Sequence, residues 1–264
     1  MSKNIKLFLS GAASHMGQAA ARVAAADADV EIVAGSTRDA VARLGFPTVA
    51  EPLQYAGEYG VLLDFSSPDK LSGILRCAAA KRVPLVLCTT GYSAEQLGAI
   101  RAAAESVPVF RSGNMSLGVN LVAKLAGLAA RSLGGAFDAE IVERHHRRKA
   151  DAPSGTALLL ADAIAENMRG RPEYVYGRSE RRGARPDGEI GISSVRGGTI
   201  VGEHEVIFAG PDEVIEIRHT AYSRDVFAVG ALAAVKFVAA ARKPGLYDMD
   251  DLLADGSSRL TTDN

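Results

Sequence analysis

The chain has 264 residues, 47% of them hydrophobic, enough to bury a core in one large or two modest domains. A formal net charge of −1 argues against a dedicated nucleic-acid binder. No stretch approaches the roughly 18 apolar residues of a membrane-spanning helix. The opening Met1-Ser2-Lys3-Asn4-Ile5 runs straight into a strand pattern, without the apolar core and cleavage site of a secretion signal. Cys77 and Cys88 are far apart and form no Cys-x-x-Cys pattern, so structural thiols in a reducing cytoplasm are expected, with no metal site.

Strand and helix signals alternate through the first part of the chain. Ile5 to Ser10 reads as a strand, Gly17 to Ala26 as an Ala-rich helix and Val30 to Ala34 as the next strand. Between the first strand and helix lies Gly11-Ala12-Ala13-Ser14-His15-Met16-Gly17, where glycines permit a tight turn and let a helix N-terminus reach a pyrophosphate. About twenty residues on, an NAD-preferring site offers an acid to the ribose hydroxyls. Here the second strand ends in Gly35-Ser36-Thr37-Arg38, with Thr37 in the place of that acid. A guanidinium at Arg38 suits a 2′-phosphate, which favours NADPH over NADH.

Further strands are expected at Val61 to Phe65, Pro84 to Leu87 and Val107 to Arg111, with helices near Asp69 to Lys81 and Ser93 to Glu105. Ser93 and Gln96 make a capping box at the start of the second of these helices. Cys88-Thr89-Thr90-Gly91 and Ser112-Gly113-Asn114-Met115 both follow strands, at the ends where open α/β sheets bind ligands. The alternation implies a Rossmann-like α/β domain, a parallel sheet covered on both faces.

From Phe137 the pattern changes. Phe137 to Val142 reads as a strand and Ala157 to Ala161 as a helix, so the basic segment between them is read as their connection. That segment, Glu143-Arg144-His145-His146-Arg147-Arg148-Lys149-Ala150-Asp151-Ala152-Pro153-Ser154-Gly155-Thr156, gathers positive charge, proton donors and a helix start in one place. Ser154 is the expected N-cap, with Asp151 and Pro153 in the first turn as the rival. Either way the N–H groups of Gly155 and Thr156 lie at the positive end of the helix dipole, suited to a carboxylate. Cationic neighbours favour release of a proton from Lys149. Arg144, Arg147 and Arg148 are expected to add field strength without direct contact.

Ile190 to Val195, Thr199 to Phe208 and Val214 to Thr220 alternate cleanly, with turns at Gly197-Gly198 and Gly210-Pro211-Asp212. They indicate a smaller α+β domain with a mixed or antiparallel sheet. His204 and His219 on these strands are read as structural. Arg171 to Asp187, rich in Arg, Gly and Pro, reads as a mobile loop. The last helix, Val226 to Ala241, is expected to return to the first domain. Residues 1–116 and 224–264 then form the dinucleotide-binding domain, and 117–223 the substrate-binding domain.

The segment from Glu143 to Ala157 closely resembles the 4-hydroxy-tetrahydrodipicolinate reductase family, whose pattern is Glu-x-His-His, a few residues, then Lys-x-Asp-x-Pro-Ser-Gly-Thr-Ala. Family-like segments also include Val61-Leu62-Leu63-Asp64-Phe65-Ser66, Gly118-Val119-Asn120, Glu189-Ile190-Gly191-Ile192, Val195-Arg196-Gly197-Gly198, Val201-Gly202-Glu203-His204 and Gly245-Leu246-Tyr247-Asp248-Met249. The resemblance implies a nicotinamide-dependent reduction of a cyclic unsaturated imine, formed by loss of water from a hydroxylated dicarboxylate. It assigns acid-base roles to His145 and Lys149, and substrate carboxylate binding to His146, Gly155 and Thr156. It places the Cys88-Thr89-Thr90 and Ser112-Gly113-Asn114-Met115 loops around the nicotinamide.

This chain departs from the family at three points. Ser14 replaces the second glycine of the usual fingerprint, His15 stands where the family commonly has Arg, and Cys88 where it has Gly. Family members often use both NADH and NADPH. The resemblance also implies a homotetramer, formed by pairing the sheets of the second domain. Two other readings stay open: another NAD(P)H-dependent imine or amino-acid reductase, and a regulator that binds the nucleotide without turnover.

Overall fold

The computed structural model describes residues 5–38, 44–179 and 183–255. The chain opens with β1 (Ile5–Ser10), in which the consecutive Leu7, Phe8 and Leu9 are all buried. A strand apolar on successive residues needs cover on both faces, as in a parallel sheet flanked by helices. Such a sheet forms from β1, β2 (Val30–Ser36), β3 (Thr48–Val49), β4 (Val61–Asp64), β5 (Leu85–Leu87) and β6 (Pro108–Arg111), all parallel in the order β6-β5-β4-β1-β2-β3. The connecting helices are α1 (His15–Ala25), α2 (Leu71–Lys81) and α3 (Ala94–Ala104). Strand order reverses between β1 and β4, which opens a crevice at their C-terminal ends.

The turn from β1 into α1 is built for close approach. Gly11 has φ +73°, and a Cβ there would stand 2.6 Å from the Phe65 backbone. One on Gly17 would stand 2.2 Å from the Gly11 carbonyl oxygen. Ser14 caps the helix, its Oγ accepting from the Gly17 N–H at 2.9 Å. The helix therefore begins at His15, two residues before the predicted start, so His15 and Met16 belong to its first turn instead of the loop. The Ser93–Gln96 capping box forms as expected.

α4 (Leu117–Leu133) leads into a second compact unit, Gly118–Ser223. There β7 (Asp138–His145), α5 (Gly155–Ala165), β8 (Glu173–Tyr176), β9 (Glu189–Arg196), β10 (Gly202–Ala209) and β11 (Val214–Ala221) follow in turn. Their sheet has the order β11-β10-β7-β9-β8 and is mixed, antiparallel on the β10 side of β7 and parallel on the β9 side. One face packs on α4 and α5 through Ile141, Ile192, Val206 and Phe208.

Three sequence expectations change in this unit. The 17-residue α4 was not read from the pattern at all. The supposed mobile loop contains β8, and Arg178 and Arg185 tie it to Glu140, Glu189 and Asp138; residues 180–182 of that loop lie outside the described residues. The Gly197-Gly198 turn does not close a hairpin, because β7 lies between β9 and β10. The connection crosses the end of β7, with Gly197 N–H donating to the His145 carbonyl at 2.9 Å.

The chain then returns to the first unit, which comprises residues up to Leu117 and from Arg224 onward. α6 (Asp225–Ala240) packs against α1 and the sheet, β12 (Gly245–Tyr247) extends the sheet beside β6, and α7 (Met249–Asp255) follows. Among the described residues no helix is long and apolar enough to cross a membrane.

Candidate active site and nucleotide pocket

In the first unit, a cavity of about 220 Å³ lies at the β1, β2 and β4 ends, lined by Gly11, Ala13, Ser14, Thr37, Arg38 and Ser66 among others. The N-terminus of α1, a guanidinium and three hydroxyl side chains are the donor set an anionic dinucleotide requires. The residues thus fit the group the sequence implies. Within the fingerprint, Ala12 is fully buried in the core and Met16 packs against it, so neither side chain faces the cavity. His15 is exposed. Among the described residues no acid stands at the β2 end, and Glu51 enters the same cavity from the turn after β3, together with Lys70.

A second group of residues gathers around Asp64 at the end of β4. This carboxylate is fully buried and accepts from Thr89 Oγ1 at 2.8 Å and from the Ser66 N–H at 3.1 Å. Burial pushes the Asp64 carboxyl above its usual range despite these hydrogen bonds. The Thr89 hydroxyl is thereby committed to holding its loop in place. Thr90 is exposed, and its methyl lies 3.9 Å from where a Cβ on Gly113 would stand, so the two loops after β5 and β6 adjoin.

The Ser112 loop locks itself: Ser112 Oγ donates to the Asn114 carbonyl at 2.7 Å, and Asn114 Oδ1 accepts from the Ser116 N–H at 2.9 Å. Met115 is a core side chain, not part of an open cradle. The Cys88 side chain packs against the core, and burial raises its thiol pKa, which makes it a filler instead of a nucleophile.

In the second unit, β7 alternates so that Ala139, Ile141, Glu143 and His145 share the covered face. The first three residues of the basic segment are therefore strand and not loop, which corrects the sequence reading. Glu143 is completely buried yet fully partnered. Arg196 at the end of β9 grips it in a bidentate pair at 2.8 and 2.7 Å, the Ser154 N–H donates to it at 3.2 Å, and its Oε2 lies 2.5 Å from His145 Nδ1. Burial pushes the Glu143 carboxyl up, but the hydrogen bonds from Arg196, Ser194 and His145 outweigh it and bring it down to about 2.

For His145, burial dominates and lowers its pKa against the opposing pull of Glu143. A neutral ring with its proton on Nδ1 donates to Glu143 and leaves Nε2 as the open lone pair. Gly202 gives that nitrogen room, since a Cβ there would stand 3.1 Å away.

Ser154 is the α5 N-cap, which settles the rivalry with Asp151: its Oγ accepts from the Ala157 N–H at 3.1 Å. The same oxygen lies 2.8 Å from His204 Nε2, and the His204 and His145 rings meet edge to face at 5.1 Å. Burial holds His204 neutral, its pKa down at about 3. His204 is a buttress of the site, more than the remote strand histidine the sequence suggested.

Between strand and cap, Lys149 Nζ sits 2.8 Å from Asp151 Oδ1, so its surroundings are not purely cationic as supposed. His146 Nδ1 is buried without a hydrogen-bond partner among the described residues. A Cβ on Gly155 would meet nothing within 4 Å, which leaves room for an anion at the helix entry. Arg147 and Arg148 are exposed, while Arg144 is taken up by Glu205 at 2.9 Å and Glu203 at 3.6 Å and does not stand free as expected.

The sequence reading gave Glu143 and Arg196 no role, Ser154 only that of N-cap and His204 only a structural one. Glu143 carried one usable signal, a carboxylate at an inward position of an alternating strand. Arg196 and His204 carried none locally, because strand neighbours 53 and 61 residues apart bring them to β7.

A doubly wound nucleotide-binding domain, followed in the same chain by a mixed-sheet domain, is the architecture of a two-domain α/β oxidoreductase. Two family models cover most of the chain: dihydrodipicolinate reductase, N-terminus, over residues 5–115, and dihydrodipicolinate reductase, C-terminus, over 118–253. The chain belongs to the dihydrodipicolinate reductase family. It is 47% identical to a 4-hydroxy-tetrahydrodipicolinate reductase of Caldanaerobacter subterraneus, covering 96% of this chain and 99% of that one. It is 45% identical to one of Clostridium tetani, covering 94% and 97%. A dipicolinate-bound dihydrodipicolinate reductase structure from Paenisporosarcina superposes with a TM-score of 0.78 at 28% identity, covering 93% of this chain and 97% of that one.

Proposed function

We propose that this protein reduces 4-hydroxy-tetrahydrodipicolinate to tetrahydrodipicolinate with loss of water, in the diaminopimelate route to lysine. The observation that carries the reading is the run from His146 to the capped entry of α5 at Gly155, in which the Lys149 N–H donates to the His146 carbonyl at 3.1 Å and His146 Nδ1 is buried without a partner among the described residues. When bound, a reduced nicotinamide nucleotide supplies the hydride. His146 and the N–H groups of Gly155 and Thr156 hold a substrate carboxylate at the helix entry. Lys149 delivers the proton that completes the reduction, and His145, its tautomer fixed by Glu143, is its acid-base partner. The free thiols of Cys77 and Cys88 suit a reducing cytoplasm. Loss of NADPH absorbance on adding freshly generated substrate is the expected result; absence of turnover with either nucleotide discards the assignment.

NADPH is the preferred nucleotide in this reading, with Arg38 against the 2′-phosphate. Arg38→Ala is expected to weaken NADPH by about 1.5–3 kcal/mol, the worth of a charge-assisted hydrogen bond, and to leave NADH nearly unchanged. Fluorescence titration at fixed ionic strength measures both. Equal losses would make Arg38 a support of its loop and remove the preference.

Assembly as a homotetramer through the face of the second sheet opposite α5 completes the proposal. That face exposes Val195 and Val214 at 45% and 56%, apolar surface that a partner sheet would cover. Sedimentation at micromolar concentration is expected to give a species of four chains, and a stable monomer would exclude this assembly.

A further inference from the structure

Lys70 stands where local rules disfavour it. It closes a one-turn 3₁₀ helix, Pro68–Lys70, and occupies the N-cap of α2 with no capping hydrogen bond. A cation there faces the positive end of the helix dipole. Its partner is Glu51, 2.9 Å away, with side chains 34% and 44% exposed. An ion pair this open to water is weak and exchanges partners readily.

The helix also makes room for the carboxylate. Gly73 sits inside α2, where glycine is intrinsically unfavourable, and a Cβ there would press on Glu51 Oε2 at 3.3 Å. Two departures from local preference thus serve one ion pair, and such departures concentrate at functional positions. Both partners line the same cavity as Thr37 and Arg38.

The charge count shows what the pair does. A 2′-phosphate carries roughly −2, more than one guanidinium neutralises. Among the side chains that line the cavity, Arg38 and Lys70 together match it while Glu51 opposes it; Asp69 lies outside this lining but within electrostatic reach of both cations. With an unphosphorylated adenosine ribose the phosphate is absent, and Glu51 is the carboxylate that, among the described residues, lines the cavity as an acceptor for the ribose hydroxyls.

We propose that the Glu51–Lys70 pair determines nucleotide specificity, Lys70 turning from Glu51 to a 2′-phosphate when one is present and Glu51 moderating that preference so that both nucleotides bind. The proposal rests on assigning this cavity to the adenosine ribose. Two consequences follow with opposite signs. Lys70→Met lowers the ratio of NADPH to NADH affinity about tenfold, and Glu51→Gln, which keeps an oxygen at the same place, raises it by a similar factor. In the double variant the ratio returns towards that of the parent protein.

The test is fluorescence titration of NADPH and NADH against the full-length parent, the two single variants, the double variant and Arg38→Ala, with a thermal melt confirming that each is folded. Ratio shifts of opposite sign in the two single variants support the proposal. A ratio that responds to Arg38→Ala but to neither Lys70→Met nor Glu51→Gln overturns it and leaves the cavity assignment standing. Equal loss of both nucleotides in Lys70→Met also overturns it, making Lys70 a support for the start of α2. If the parent protein binds neither nucleotide, the cavity assignment falls and this proposal with it.

Discussion

Lys149→Ala is expected to lower turnover by about a hundredfold or more, with nucleotide affinity unchanged, as loss of a general acid requires. The structure sharpens the expectation by narrowing the proton sources. Burial keeps the His145 ring neutral, and its Nδ1 faces Glu143, so the ring has no proton to give at Nε2. His204 is neutral as well and engaged with Ser154. Lys149 is the ammonium in the same turn, and its partner Asp151 is 59% exposed on its side chain. Breaking so exposed a pair costs the fold little, about 0–1 kcal/mol, so a large fall in turnover is not a folding defect. The measurement is kcat at saturating substrate beside the Kd for NADPH. Near-normal kcat would remove Lys149 from the chemistry.

Glu143→Gln is expected to have the largest effect on stability, about 3 kcal/mol at pH 7. Removing one partner of a buried ion pair costs about 3–5 kcal/mol because the other charge is left uncompensated. The lower end applies because Arg196 is 20% exposed and keeps hydrogen bonds to the carbonyls of Asp151 and Val195.

The pH dependence follows from the depressed carboxyl. Its pKa falls from 4.5 to about 2 on folding, so its contribution is complete above about pH 4.5 and disappears as pH drops towards 2. The carboxyl's own share of the gap between parent and variant should stay constant from pH 7 to 5 and shrink below 4.5. His204, lowered from 6.5 to about 3, and His145, also lowered by burial, are both held up in part by Glu143, so they fall further in the variant and oppose this narrowing below about pH 6.5. Urea unfolding at pH 7, 5 and 3.5 gives the comparison. A loss below 1 kcal/mol at pH 7 would contradict a paired, ionised Glu143.

Much of this protein was legible from local pattern. Consecutive apolar residues in Ile5–Ser10 and Val61–Asp64 specify strands covered on both faces, because an exposed row of leucines has no other stable place. Ser93 with Gln96, and Ser154 before Gly155, mark helix starts through hydrogen bonds made within three residues. The Lys149 loop could be read for the same reason, since its residues are neighbours in the chain.

What the tertiary structure decided is whatever depends on strand order. α4 went unread although Asn120, Lys124 and Arg131 share one side of Leu117–Leu133 at helical spacing; packing on the second sheet decides only that Val122, Ala126 and Ala130 are the buried face. Arg196 and His204 reach Glu143 and Ser154 because β9 and β10 flank β7, an arrangement that no local periodicity records. Glu51 was hidden in the same way: among the described residues, the acid lining this cavity comes from the turn after β3, while the end of β2 offers Thr37. Hydrogen bonds within a turn are set by neighbours in sequence, but buried charges find partners only when the sheet is assembled, and the residues that orient this site are of that second kind.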